Sequence, residues 1–288
     1  MIIIGGNNMY TSIKDCVRLN NGIEMPILGF GVFQINDNDE TADCVKKAIK
    51  HGYRSIDTAM IYGNEAGVGK GIKESGIKRE DLFITTKVWN SDQGYNETLK
   101  SFESSMGRLM LNYLDLYLIH WPVPKNNKYI ETWKALETLY RDGKVRAIGV
   151  SNFNISHLEN IITQCNIVPA VNQVEFHPWL LQTGLFAYMK QKGIFAEAWS
   201  PLAHGALLDN EILMEIAKKY NKTVAQVIIR WDIQKNVITI PKSSKEDRIA
   251  SNANVFDFEL SDQDMKTIES LNKNHRIGPD PDEFDLGE

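Results

Sequence analysis

From position 27 onward, short apolar runs rich in β-branched residues alternate with longer stretches of helical spacing, and few folds accommodate that alternation. The runs lie at 27–32, 54–57, 83–88, 114–120, 146–150, 170–174, 194–198 and 237–240, eight in all. Between them, Ala42, Val45, Ala48 and Ile49, or Trp133, Leu136, Leu139 and Tyr140, recur at three- and four-residue intervals and leave faces rich in lysine and glutamate. A chain of 288 residues is long enough for two domains of about 150 residues or for one α/β barrel of about 250. Eight units leave no residues for a second core, and no Ser/Pro/Gly-rich linker divides the chain. The expectation is therefore an α/β fold: one (β/α)8 TIM barrel domain over 1–288, with 1–13 a flexible N-terminal extension.

Two additions to the barrel are legible. Runs at 16–19 and 23–25 flank Asn21-Gly22, a strong hairpin signal, and predict a β-hairpin capping the barrel bottom. The longest gap between strands holds two helical stretches, 210–220 and 223–234, so one of them falls outside the repeat. Another helix begins after Ser261, whose Ser-x-x-Asp form to Asp264 marks an N-cap.

Charge and cysteine content narrow the function. A net charge of −5, with no block of basic residues, argues against a nucleic-acid partner. Cys16, Cys44 and Cys165 are scattered and form no CxxC pair to clamp a metal, which predicts no metal site and a reduced, cytoplasmic setting. The apolar start at 1–4 is broken at once by Gly5 and Gly6, so no membrane anchor is expected.

In such a barrel, side chains at the carboxyl ends of the strands converge on one site. Asp57, Lys87 and His120 stand at three consecutive strand ends, and Tyr62 follows on the next loop. Each has a plainer reading: Asp57 as a helix cap, Lys87 as a stem reaching into water, Tyr62 as a surface aromatic. Together they suit carbonyl reduction, in which the oxygen that becomes an alkoxide must receive a proton. A tyrosine supplies it if a nearby ammonium steadies the phenolate, an aspartate keeps that ammonium charged, and a histidine orients the carbonyl.

A hydride donor is then needed. Gly67, Gly69 and Gly71 have the wrong spacing for a dinucleotide fingerprint and fall in a helical stretch. Ser151, Asn152, Gln173, Trp199 and Ser200, at later strand ends, offer groups to hold a flat amide-bearing ring. Lys242, Ser243, Ser244 and Arg248, near a helix start, offer a phosphate site. Phe33, Trp89 and Trp121, joined by Trp179, are expected to wall an apolar substrate mouth, with 279–282 folding across it and Phe284 touching substrate. His177 reads as a structural hydrogen-bonder.

Seven segments carry a family resemblance: GYRSIDTAMIYGNE (52–65), LFITTKVW (82–89), LDLYLIHWP (114–122), GKVRAIGVSNF (143–153), VNQVEFHP (171–178), AWSPL (198–202) and IPKSSKEDRI (240–249). The chain resembles aldo-keto reductases over about 14–284, and within them the short-loop bacterial glyoxal, methylglyoxal and 2,5-diketogluconate reductases, with prostaglandin F synthases nearby. The resemblance implies a tetrad of Asp57, Tyr62, Lys87 and His120, and NADPH/NADP+ as cofactor. It implies that Ser151, Asn152 and Gln173 hold the carboxamide and that Trp199, where many members have tyrosine, stacks on the nicotinamide. Ser200, Pro201, Leu202, Ile240 and Ser244 would line the cofactor, Lys242, Ser243 and Arg248 would bind the 2′-phosphate, and Asn252 the adenine. Ser251 departs from the glutamate of many relatives. The expected activity is NADPH-dependent reduction of small aldehydes, α-ketoaldehydes and some ketones by a cytoplasmic monomer. Two alternatives stand beside it: a barrel aldolase using Lys87 as a Schiff base, and a cofactor-binding regulatory or redox-sensing subunit.

Overall fold

A computed structural model describes residues 10–285. An antiparallel hairpin, β1 (Cys16–Arg18) and β2 (Glu24–Pro26), turns at Gly22 with φ +84°. The alternating units follow: β3 (Phe30–Gly31), α1 (Asn38–Lys50), β4 (Ser55–Asp57), α2 (Glu65–Ser75), β5 (Phe83–Val88), α3 (Tyr95–Leu109), β6 (Leu114–Ile119) and α4 (Tyr129–Arg141). The second half comprises β7 (Val145–Ser151), α5 (Ile155–Gln164), β8 (Val171–Glu175), α6 (Thr183–Lys192), β9 (Phe195–Trp199), α7 (Glu211–Tyr220), α8 (Val224–Gln234), β10 (Ile238–Thr239), α9 (Glu246–Ala253) and α10 (Asp262–Glu269).

Strands β3 to β10 pair in chain order, all parallel, and the sheet closes on itself. Gly29 N–H donates to Thr239 O at 2.9 Å, Thr239 N–H to Ile27 O at 3.1 Å and Gly31 N–H to Pro241 O at 3.3 Å. This is a (β/α)8 barrel. The closing strands are shorter than the apolar runs 27–32 and 237–240 suggest; Pro241, at the seam, has no N–H to continue the ladder. Helices α8, α9 and α1 neighbour one another around the ring, while α7 packs on α8 and α10, so α7 and α10 are the additions to the repeat.

Local signals explain the elements. Asp37 caps α1 by accepting from Glu40 N–H, and Thr223 and Gln226 form a capping box on α8. Ser261 caps α10 through Asp264 N–H. Gly67, Gly69 and Gly71 lie in α2 and serve packing: a Cβ at Gly69 would stand 2.2 Å from Leu109 O, and one at Gly71 2.7 Å from Ala42 O. The hairpin covers the amino ends of the strands, with Asn21 Nδ2 donating to Arg146 O and Asn20 Nδ2 to Pro169 O, both at 2.9 Å. Of the extension expected to be flexible, 1–9 lie outside the described residues. From Tyr10 the chain is packed, not loose: Tyr10 is buried, its carbonyl accepts Arg230 Nη1 at 2.8 Å, and Ile13 rests on the core.

Candidate active site

Parallel register places the ionisable groups together. Asp57 ends β4, opposite Thr85 on β5; Lys87 stands two residues further along β5, opposite Leu118 on β6; and His120 follows β6 directly. Lys87 is fully buried, so it does not reach into water, and Asp57 caps no helix. Lys87 Nζ donates to Asp57 Oδ1 at 2.6 Å and to Thr58 O at 2.9 Å. Tyr62 sits in a single 3-10 turn (Met60–Tyr62), its ring centroid 5.2 Å from Lys87 Nζ and 5.7 Å from the His120 ring, edge-on.

The electrostatics follow from burial and neighbours. Burial favours the neutral amine of Lys87, but the charge of Asp57, with Tyr62, outweighs it and holds the ammonium above the ordinary lysine value. Burial pushes the Tyr62 phenol up, and the charge and hydrogen bond of Lys87 pull against it. His120 is lowered well below the usual histidine range, first by burial and then by Lys87, so the imidazole is neutral at pH 7. A phenol with an ammonium behind it and a neutral imidazole beside it can give a proton to an oxygen placed between the two rings.

Asp57, Tyr62 and His120 open onto a cleft of about 1110 Å³ at the carboxyl end of the barrel. Ser151, Asn152, Gln173, Trp199, Ser200, Pro201 and Leu202 line one stretch of it; Ile240, Lys242, Ser243, Ser244, Arg248, Ser251 and Asn252 line another. Asn152, at φ +63°, takes Trp199 Nε1–H on Oδ1 at 2.7 Å and donates through Nδ2 to His120 O at 3.0 Å. Lys242 and Arg248 are exposed at the start of α9 and make no ion pair among the described residues, which leaves both available to an anion.

A scan against protein families matches residues 27–273 to the model described as "Aldo/keto reductase family". The chain belongs to that family. It is 62% identical over 276 residues to glyoxal reductase of Bacillus subtilis (strain 168), covering 96% of this chain and 99% of that protein. To methylglyoxal reductase DkgA of Yersinia pestis it is 46% identical over 275 residues, covering 95% and 98%. Among solved structures, an aldo-keto reductase of Bombyx mori in complex with NADP superposes with a TM-score of 0.87 at 35% identity, covering 93% of this chain and 96% of that one.

For this aldo-keto reductase, three of the four residues expected at the substrate mouth border the cleft. Phe33, Trp89 and Trp121 line the cleft, as do Ile277, Gly278, Pro279 and Phe284, and the Phe284 ring lies 4.4 Å from that of Trp121. Trp179 corrects the expectation: it is not among the cleft residues. Its carbonyl accepts Lys273 and His275 N–H, and its ring meets His275 and the Lys273 ammonium, so it anchors the returning C-terminal segment instead. His177 bonds Glu175 at 2.9 Å, and Glu175 also accepts Ile277 and Gly278 N–H at 2.6 and 3.0 Å, fastening the strap that crosses the mouth.

Sequence reasoning missed Glu197. It lies inside the barrel on β9, fully buried, with Oε2 accepting Gln173 Nε2 at 2.8 Å and Oε1 unpartnered. Burial, then the charge of Asp57, push its carboxyl up to about 8. A signal was available: in FAEAW (Phe195–Trp199) a glutamate shares the strand face of Trp199, two residues away, within an otherwise apolar run.

Proposed function

We propose that this chain reduces small aldehydes, α-ketoaldehydes and some ketones to alcohols, using NADPH as hydride source and Tyr62 as proton donor. The observation that carries the reading is the buried Lys87–Asp57 pair behind the Tyr62 ring, at the end of a cleft whose other end carries Lys242 and Arg248, neither of which forms an ion pair among the described residues. The glyoxal and methylglyoxal reductases among the relatives, and the NADP complex among the solved structures, support the same substrate and cofactor class.

The cleft fits the cofactor. Lys242, Ser243 and Arg248, at the start of α9, present cations and a hydroxyl suited to a 2′-phosphate, with Asn252 one turn beyond for adenine. Trp199 offers its indole face, held by the bond to Asn152, and Ser151, Asn152 and Gln173 offer polar groups for the carboxamide. When bound, the nicotinamide supplies a hydride to the carbonyl carbon. Tyr62 gives its hydroxyl proton to the carbonyl oxygen, and Lys87 steadies the phenolate left behind. His120, neutral, hydrogen-bonds the same oxygen and orients it without adding a second positive charge. Phe33, Trp89, Trp121 and Phe284 enclose the substrate in an apolar mouth suited to small carbonyls.

The aldolase alternative is disfavoured by the Asp57 bond, because an ammonium held above its ordinary value is a poor nucleophile. The reading puts the enzyme in the cytoplasm as a monomer; its three cysteines are unpaired. The test is a panel of glyoxal, methylglyoxal, an aromatic aldehyde and a bulky ketone, each with NADPH and with NADH. Consumption of NADPH with the small carbonyls, and a KM for NADH at least about tenfold higher, is expected. NADPH binding without turnover of any carbonyl would transfer support to a regulatory subunit.

A further inference from the structure

Below the reacting groups, one amide ties two acids together. Gln173 Nε2 stands 2.8 Å from Asp57 Oδ2 and 2.8 Å from Glu197 Oε2, so each of its two hydrogens is given to a different carboxyl group. The Asp57 contact also fixes which end of the Gln173 amide is nitrogen, since the carboxylate paired with Lys87 only accepts. Asp57 passes the connection to Lys87 through its other oxygen, and Lys87 to Tyr62. Glu197 thus stands at the far end of a continuous chain of contacts that leads to the proton donor, and it touches neither cleft nor solvent.

The charge state of Glu197 follows from its surroundings. Lys87 gives its hydrogen bonds to Asp57, to Thr58 O and to the Tyr62 phenol, not to Glu197. One donated hydrogen serves the two oxygens of Glu197, and Oε1 is buried without a partner, a setting in which an ionised carboxylate is costly. The titratable groups facing it are Asp57 on β4, Tyr62 in the turn beyond, and Lys87 on β5. Its sheet neighbours supply Gln173 from β8 and Ile238 from β10, which do not titrate. Tyr188, Lys190 and Lys192 belong to α6, in the outer ring.

We propose that Glu197 is a positioning residue for the reduction: as a neutral acid it holds Gln173 against Asp57, and when it ionises, the added negative charge makes Tyr62 a poorer proton donor. The reasoning rests on the function proposed above. Negative charge near the phenol opposes phenolate formation, so loss of the Glu197 proton slows proton donation while leaving the Lys87–Asp57 pair intact. Gln173, which also lines the cleft, is the element through which the acid acts.

Two measurements test this. The first is an infrared titration of the full chain without cofactor, following the carbonyl stretch of protonated carboxyl groups from about pH 6 to 10. Among the described residues Glu197 and Asp232 are buried acids raised above the ordinary carboxyl value, and an Asp232→Asn variant identifies the band of the latter. A band present at neutral pH, lost as pH rises through about 8 and missing in Glu197→Gln, is expected. Its absence from the wild type, or its persistence in Glu197→Gln, overturns the proposal, and the wild-type titration decides this even if that variant does not fold. The second is single-turnover NADPH oxidation with methylglyoxal across the same range. The wild-type rate should fall roughly fivefold between about pH 7 and 9.5, and this fall should be missing in Glu197→Gln. An unaltered fall in the variant overturns the coupling to Tyr62. A correct band in a protein that turns over no carbonyl supports the placement of the proton and counts against the function.

Discussion

Lys87 Nζ stands 2.6 Å from Asp57 Oδ1 with both side chains withdrawn from water, and the Tyr62 ring lies against that ammonium. An ammonium can remain charged inside a barrel only with such a partner, so the pair has consequences for folding as well as for reactivity.

Asp57→Asn leaves a buried ammonium facing neutral acceptors. Breaking a buried pair from one side costs about 3–5 kcal/mol. A lower urea midpoint is expected, together with a fall in hydride-transfer rate of at least about a hundredfold. The pair also sets an alkaline limit. Lys87 is raised in the folded protein, so its stabilising contribution is complete below the unfolded lysine value of about 10.4 and is lost as pH climbs through the folded value. Urea midpoints at about pH 9 and 11 check this: the drop should be larger in the wild type than in Lys87→Met.

His120 gives the opposite pH dependence. Its folded value is depressed, so below about 6.5 the unfolded chain takes up a proton that the folded chain refuses. The associated stability is complete above about 6.5 and declines as pH falls toward the folded value. NMR titration of the ring should show no protonation of His120 at about pH 6, and the reduction rate should have no acid limb there. A ring that titrates near 6.5 contradicts the neutral role. Replacement by alanine should lower kcat by about a hundredfold.

Gly278 is where the C-terminal strap crosses Trp199. A Cβ there would lie 2.4 Å from Trp199 Cη2 and 3.1 Å from Glu175 Oε2, so Gly278→Ala must lift the strap or turn the indole. Either change disturbs the mouth lined by Phe284 and the indole face available to the cofactor. Steady-state kinetics should show KM for methylglyoxal raised about 5- to 20-fold with a smaller change in kcat. Unchanged constants would show that the strap is too pliant to shape the mouth.

At the other end of the cleft, the proposed function has Lys242 and Arg248 distinguish NADPH from NADH. Loss of a charge-assisted phosphate contact is worth about 1.5–3 kcal/mol. Fluorescence titration should give about tenfold or greater weakening of NADPH binding for Lys242→Ala and for Arg248→Ala, with NADH binding little altered. Equal losses for both nucleotides would place these side chains away from the 2′-phosphate.

Much of this arrangement was legible because strand ends announce themselves. Asp57, Lys87 and His120 interrupt apolar runs at matching points, and parallel register carries that match into space. The helix cap at Ser261 was legible in its Ser-x-x-Asp pattern, whereas Asp37 and Thr223 were identified as caps only from the structure. The seam was less legible, since the pairing of Gly29 with Thr239 joins distant parts of the chain, and Pro241 there has no N–H to continue the ladder. Trp179 looked like a wall residue because it follows the HP of VNQVEFHP, but where its ring goes is decided by the returning chain at Lys273 and His275. Glu197 escaped for the opposite reason: its partners Gln173 and Asp57 come from other strands, and only closure of the barrel brings them together.

The most direct measurement is single-turnover oxidation of NADPH by methylglyoxal in Tyr62→Phe, run beside fluorescence titration of NADPH. Phenylalanine keeps the ring against Lys87 and His120 and removes only the hydroxyl. The expected result is a rate reduced by at least about a thousandfold with NADPH affinity within about threefold of the wild type. A variant that oxidises NADPH at the wild-type rate would show that the proton comes from another group.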